Sequence, residues 1–216
     1  MALDQKALQK KRAKRELKRK QAKKSGAGLP GAMSVAHDWA VAAHAPIADC
    51  LVPIPLFEAG IGTVWVSRRL PDGRYALTGF LLDVFCLGVK NALYKIMEEG
   101  EYQARMDVIR SGEPQEVERR DAAYVRKLVE GALAYAQALG FDPHPDYRIA
   151  RLIFGDIEVA DCPDEFTFGY QGKPFYVNGP NETPAMQRRI MKQLEQQCGP
   201  GGSNFLTELR EGESPF

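Results

Sequence analysis

The chain has 216 residues, 44 % of them hydrophobic, which is enough for one ordinary core. Its formal net charge of +1 hides a division: residues 1–24 carry eleven Lys or Arg against Asp4 and Glu16, a net +9, while the 18 cations and 26 carboxylates of the rest leave it at −8. No apolar run is long enough to cross a bilayer, the N-terminus is charged where an export signal needs its apolar segment, and Cys50, Cys86, Cys162 and Cys198 form no CxxC pair; we therefore expect a cytoplasmic protein with no membrane partner and with reduced thiols.

Met1 to Lys24 is built of good helix formers, yet Leu3, Leu8 and Leu17 make no continuous apolar stripe, so the segment cannot form a core of its own. Like charges four apart, as at Lys10, Lys14 and Lys18, repel in an isolated helix. The expectation is a tail that is disordered or partly helical until a polyanion neutralises it. Lys10, Lys11, Arg12, Lys14, Arg15, Lys18, Arg19 and Lys20 are the candidate phosphate contacts, giving salt-sensitive affinity for RNA, the ribosome or DNA with little sequence choice. The bland alternative is a solvated tail. A membrane surface fits less well because the segment lacks an insertable Trp, Phe and Leu face.

Residues 25–32 (SGAGLPGA) read as a flexible linker, and a single domain is expected over residues 33–198, followed by a C-terminal segment at 199–216. Ser34 to Ala43 suggests a short helix, and Ile47 to Ile54 a strand that Pro53 and Pro55 assign to a sheet edge. His37 and His44 lack carboxylate or thiolate partners at ligand spacing, so no metal site is assigned.

Gly60 to Tyr94 organises the domain. Two β-branched and aromatic runs flank Leu70-Pro71-Asp72-Gly73, where Pro presets the first turn dihedral and Gly accepts a positive φ. With Leu70 facing Arg74, the register places Val64 opposite Phe80, Trp65 opposite Gly79 and Ile61 opposite Asp83. The second strand is apolar on both faces and should be central.

The stretch DVFCLGVKN, 83–91, carries the most suggestive chemistry. Asp83 interrupts an apolar strand, and Cys86, Lys90 and Asn91 follow beside Gly88, which permits a close approach. Asp83 reads either as a local cap for the turn after it or as a base or metal ligand beside Lys90. Cys86 reads as a small core hydrophobe.

Asn91 to Met97 suggests the start of a helix interrupted at Gly100, and Glu101 to Ile109 a second short one. Asp121 to Leu139 is the clearest helix, with Val125, Leu128, Val129, Ala132 and Ala136 on one buried face. His144 sits between Pro143 and Pro145, where Asp142 or Asp146 could orient it as a general base. Asp146 then caps a helix ending at Gly155, Ile157 to Ala160 reads as a strand, and Glu165 to Val177 as an aromatic-rich edge hairpin turning at Gln171-Gly172. Thr183 and Pro184 start a last helix whose Arg188, Arg189 and Lys192 either extend the cationic surface or form an ordinary wet face.

Together these elements predict an α+β fold with a small antiparallel sheet built from two hairpins, covered by several helices and preceded by a basic tail. The leading function is nucleic-acid or ribosome association through that tail. The alternatives are a hydrolase or metal-dependent nuclease centred on Asp83, Lys90 and His144, and a protein-interaction scaffold. No cofactor motif is present.

Overall fold

The computed structural model describes residues 37–206, apart from 113 and 181. The basic tail, with its eight assigned cations, and the linker at 25–32 lie outside the described residues, as does the C-terminal segment beyond residue 206. The chain divides into two units, Met1–Ala40 and Val41–Phe216. Of the first, residues 37–40 are helical, within the stretch expected to be so. The sheet and the remaining helices belong to the second unit.

Five strands form its sheet: β1 Ile47–Pro53, β2 Ile61–Arg69, β3 Tyr75–Asp83, β4 Gly88–Met97 and β5 Val117–Arg119, with a short helix α1, Leu56–Ala59, between β1 and β2. Their order is β4-β3-β2-β1-β5 and every neighbouring pair is antiparallel. The β2–β3 hairpin has the expected register, with Val64 opposite Phe80, Trp65 opposite Gly79 and Ile61 opposite Asp83. Its turn closes through Leu70 N donating to Arg74 O at 2.8 Å and Gly73 N to Leu70 O at 3.0 Å, and Gly73 takes a φ of 89° that a side chain would resist. Successive residues of β3 point to opposite faces, so an apolar strand needs cover on both. One face presents Val64, Val66 and Phe80, all buried, beneath the helices α3 Ala122–Ala138 and α4 Tyr147–Ala150. Phe80 stacks on Phe154, centroids 5.3 Å apart, and meets the edge of Tyr147. The other face presents Leu77 and Tyr75 to helix α2, Glu99–Arg110, whose Tyr102, Met106 and Ile109 complete that core. The Tyr75 and Tyr102 rings stack at 3.9 Å.

Helix α3 carries Val125, Leu128, Val129, Ala132 and Ala136 on its buried face, as its spacing predicts. It lies close to the β3–β4 turn. A Cβ at Gly88 would meet Ala132 O and the Ala136 methyl at 2.7 Å, and its φ of 62° is itself a glycine conformation. The close approach foreseen at Gly88 is thus that of a helix backbone.

Several elements differ from the sequence expectation. Residues 91–97 are strand, not helix: β3 leaves an apolar edge after pairing with β2, and the partner that satisfies it outweighs the helix propensity of Ala, Leu, Lys and Met. The helix that follows starts at Glu99, so Gly100 lies in its first turn rather than interrupting a longer one. β1 is not an edge strand, because β5, which the sequence did not signal, pairs with its outer side at Leu51, Val52 and Pro53. Residues 157–160 form no strand, and a 3₁₀ turn spans Val159–Asp161. The Gln171–Gly172 turn exists, with Tyr170 bridged to Lys173, but the sheet does not extend to it. Instead β6, Phe175–Val177, pairs in parallel with β7, Asn204–Leu206, beyond helix α5, Pro184–Cys198. All four cysteines are free.

Candidate functional site

At the end of β3, Asp83 is 6 % exposed, and its Oδ1 accepts from Phe85 N at 3.1 Å and Cys86 N at 2.8 Å. The carboxylate therefore ties down the turn that delivers the chain into β4. Burial pushes its pKa up to about 6, against the charge of Lys90 and the backbone N–H groups of Cys86, Leu87 and Phe85, which pull it down. Lys90 is turned to another partner: its Nζ is 2.8 Å from Glu182 Oε1, and both side chains are largely buried. Glu182 Oε2 accepts from the Tyr176 hydroxyl. Burial works against the charge on Glu182, but the bonds from Lys90 and Tyr176 together outweigh it and hold the carboxyl below its usual range. The same burial, reinforced by Glu182, places the Tyr176 phenol well above its ordinary value.

Cys86 is fully buried here with Leu139, Tyr176 and Leu194, and Cys198 packs against them. Burial first, and the charge of Asp83 second, raise the Cys86 thiol far above the normal range, so it stays protonated and acts as core. The cluster is a charge network under a lid formed by α5. It has two carboxylates, one ammonium and one phenol, and none of its fully buried side-chain nitrogens and oxygens lacks a hydrogen-bond partner.

The structure brings Asp83 and Lys90 into this cluster. His144 is attached to the same strand only through its backbone, its N donating to Val89 O at 3.0 Å. Its imidazole is engaged in its own turn: Nδ1 accepts from Asp146 N at 3.3 Å, with Asp146 Oδ2 3.9 Å away. The proton of the neutral ring is then on Nε2. Among the described residues no group of three or more His, Cys, Asp or Glu is arranged to hold a metal ion.

A second polar network went unnoticed in the sequence. Asp49 in β1 accepts from Tyr102 Oη at 2.6 Å on one oxygen, and on the other lies 2.9 Å from Arg110 and 3.1 Å from Arg119. Ser67 Oγ, 2.8 Å from Tyr102 Oη, extends the chain, and accepts from Asp49 N at 3.0 Å. This network joins β1, β2, β5 and α2. The signal that marked Asp83, a carboxylate inside an apolar strand, was equally present at Asp49. Glu182 had no such signal, because only folding brings it to Lys90. Arg68, 3 % exposed, is a third case: its guanidinium donates to Ile153 O at 2.7 Å, Ala45 O at 2.5 Å and Phe154 O at 2.9 Å.

Some cations of the domain are neutralised locally. Arg74 pairs with Asp72, Lys95 with Glu101, Arg120 with Glu118, Arg126 with Glu130 and Lys127 with Glu165. Exposed Arg69, Arg105, Arg148 and Arg151, and on α5 Arg188, Arg189 and Lys192, have no carboxylate within ion-pair distance among the described residues. The aromatics expected in the second hairpin are engaged inside the protein: Phe166 with Phe57 and Tyr124, Phe168 with Tyr135, and Phe175 with Phe85 and Tyr170.

No helix of the described residues is long and apolar enough to cross a membrane. No family model, curated protein or solved structure matches this chain.

Proposed function

We propose that this chain is a cytoplasmic nucleic-acid- or ribosome-associated binding protein that engages RNA or DNA through Lys10, Lys11, Arg12, Lys14, Arg15, Lys18, Arg19 and Lys20. The observation that carries this reading is the charge division: +9 within residues 1–24 and −8 over the remainder. A segment of that charge density gains affinity by releasing counterions from phosphates, without needing a fixed fold.

The alternative, a hydrolase at Asp83, Lys90 and His144, draws less support from the geometry. Lys90 is occupied by Glu182, Asp83 is closed off from solvent, and the imidazole faces its own loop. A substrate would have to open the packed end of β3 to reach the carboxylate.

The test is fluorescence anisotropy of a single-stranded RNA against the full-length chain over a range of salt. Replacing the eight cations by Gln should abolish most binding and flatten the log–log salt dependence by about 0.7 for each phosphate contact removed. An affinity and a salt slope unchanged by those eight replacements would overturn the reading.

A further inference from the structure

We infer that the groove between α5 and the segment running from Gly199 to Phe205 holds one nucleotide of a single-stranded nucleic acid, with the phosphate on Arg188 and Lys192 and the base on Phe205. This rests on the nucleic-acid reading above and adds a second contact, on the folded domain.

The groove is built by the helix period. Thr183 Oγ1 accepts from Met186 N at 3.3 Å and Pro184 opens the first turn, fixing where α5 begins. From there Arg188, Met191, Lys192 and Glu195 recur at three- and four-residue spacing and share one face. Leu194, one position along, is buried and anchors the helix over Tyr176 and Cys86. The opposite wall is Gly199, Pro200, Gly201, Ser203 and Phe205, and the space between is about 460 Å³, within the range of small-ligand clefts. That wall is held in place. Lys173 Nζ donates to Gly201 O at 3.1 Å, Gly202 N to Gly199 O at 3.1 Å, and Asn204 N to Pro174 O at 2.9 Å.

Two features of this groove bear on its ligand. Arg188 and Lys192 are like charges four apart on a helix, an arrangement that costs stability, and among the described residues neither has a carboxylate partner. Exposed Arg69, Arg105, Arg148 and Arg151 are unpaired as well, so what sets this pair apart is the cleft and the ring beside it. Phe205 is 59 % exposed and makes no ring contact among the described residues, whereas the other aromatics of this region pack on one another. Its register partner in β6 is Tyr176, which is buried under α5, so Phe205 is presented to the same side but just beyond the helix's cover.

An unpaired cation pair with an exposed ring beside it matches the two parts of a nucleotide. Phosphate takes the cations, and any base stacks on the ring because every base has a π-face, so the site selects for single strands over duplexes and little for sequence. Glu195 lines the end near Gly199 and repels phosphate there, which places the phosphate at the Arg188 end. An acidic peptide would use the cations but gain nothing from stacking on Phe205, and the nucleotide is the ligand that uses both.

The experiment compares the full-length chain, and the full-length chain with its eight tail cations replaced by Gln, each with and without Arg188→Ala/Lys192→Ala or Phe205→Ala. The probe is a fluorescein-labelled oligouridylate of about 12 nucleotides, within the site sizes of single-strand binders. Both groove variants should weaken binding about tenfold in both backgrounds, the charge variant losing its effect at high salt and Phe205→Ala keeping it. An oligonucleotide carrying 4-thiouridine should crosslink to the peptide containing Phe205. Unchanged affinity in both groove variants, with crosslinks confined to residues 1–24, would overturn the groove and leave the tail reading standing. Loss of binding to polyglutamate on Arg188→Ala/Lys192→Ala, with Phe205→Ala without effect on RNA, would identify an acidic peptide as the occupant and also overturn it. Absence of binding by the native chain to any single-stranded RNA or DNA would remove both readings.

Discussion

Lys90 and Lys192 show two fates of a lysine in one domain. Lys90 leaves a strand and ends on Glu182, so its charge is neutralised and its desolvation is compensated by a short, largely buried ion pair. Lys192 stands on α5 itself, exposed, with another cation one turn away and no carboxylate opposite. The first arrangement is the one a fold uses to hold itself together. The second costs a little stability and leaves the charge open to solvent or to an outside anion. The contrast separates residues that maintain the domain from residues available to a ligand.

The sharpest way to break that contrast is Lys90→Met, which leaves Glu182 buried without its cation. Unfolding in urea should show a loss of about 3–5 kcal/mol, and Glu182→Gln in the same chain should recover part of it. If Lys90→Met cost no more than a surface substitution, the pair would not be the structural element described.

Asp83→Asn probes the other carboxylate through pH. The folded pKa of about 6 lies above the ordinary carboxylate value, so the folded chain holds this proton more tightly than the unfolded one. Stability therefore falls as pH rises through the window between about 4 and 6, and the penalty is complete above it. Relative to Asp83→Asn, the native chain should lose about 2 kcal/mol between pH 4 and pH 7, read from urea midpoints. Glu182, whose pKa is lowered, contributes stability that is lost on acidification, but equally in both chains, so the difference isolates Asp83. A difference that did not change with pH would show that Asp83 is not desolvated as the geometry implies.

Tyr176→Phe removes one donor to the Glu182 carboxylate and should cost about 2 kcal/mol at neutral pH, with the loss shrinking as Glu182 is protonated. At the other end of the scale, Arg188→Ala/Lys192→Ala should change stability by no more than about 0.5 kcal/mol. A large loss there would mean that these cations are structural, and the two fates would collapse into one.

How much of this was legible beforehand depended on whether the signal was local. The β2–β3 hairpin, with its register, followed from Pro71 and Gly73 together with the alternation on either side, all within one turn of chain. Helix α3 was carried by the spacing of Val125, Leu128 and Ala132. The strand at residues 91–97 was hidden because its own residues favour a helix and only the open edge of β3 decides otherwise. β5, three residues long, has no pattern of its own, and its identity comes from the β1 edge it covers. At the site, Asp83 and Lys90 were found because both sit in one short stretch. The partner of Lys90, Glu182, lies beyond a hairpin-like turn and a glycine-proline loop, where no periodicity points back to Lys90. The Asp49 network was missed for the same reason, its partners being distributed over α2 and β5.

The order of strands also sets an order of assembly. β1 to β4 each pair with their neighbour in the chain, so the meander closes small loops one at a time. β5 joins β1 only after α2 has intervened, and the Arg68 guanidinium finds the carbonyls of Ile153 and Phe154 only once α3 and α4 are in position. Refolding should therefore protect the β2–β3 amides first and those of residues 117–119 last, an order that pulsed hydrogen exchange would record and that simultaneous protection of both would refute.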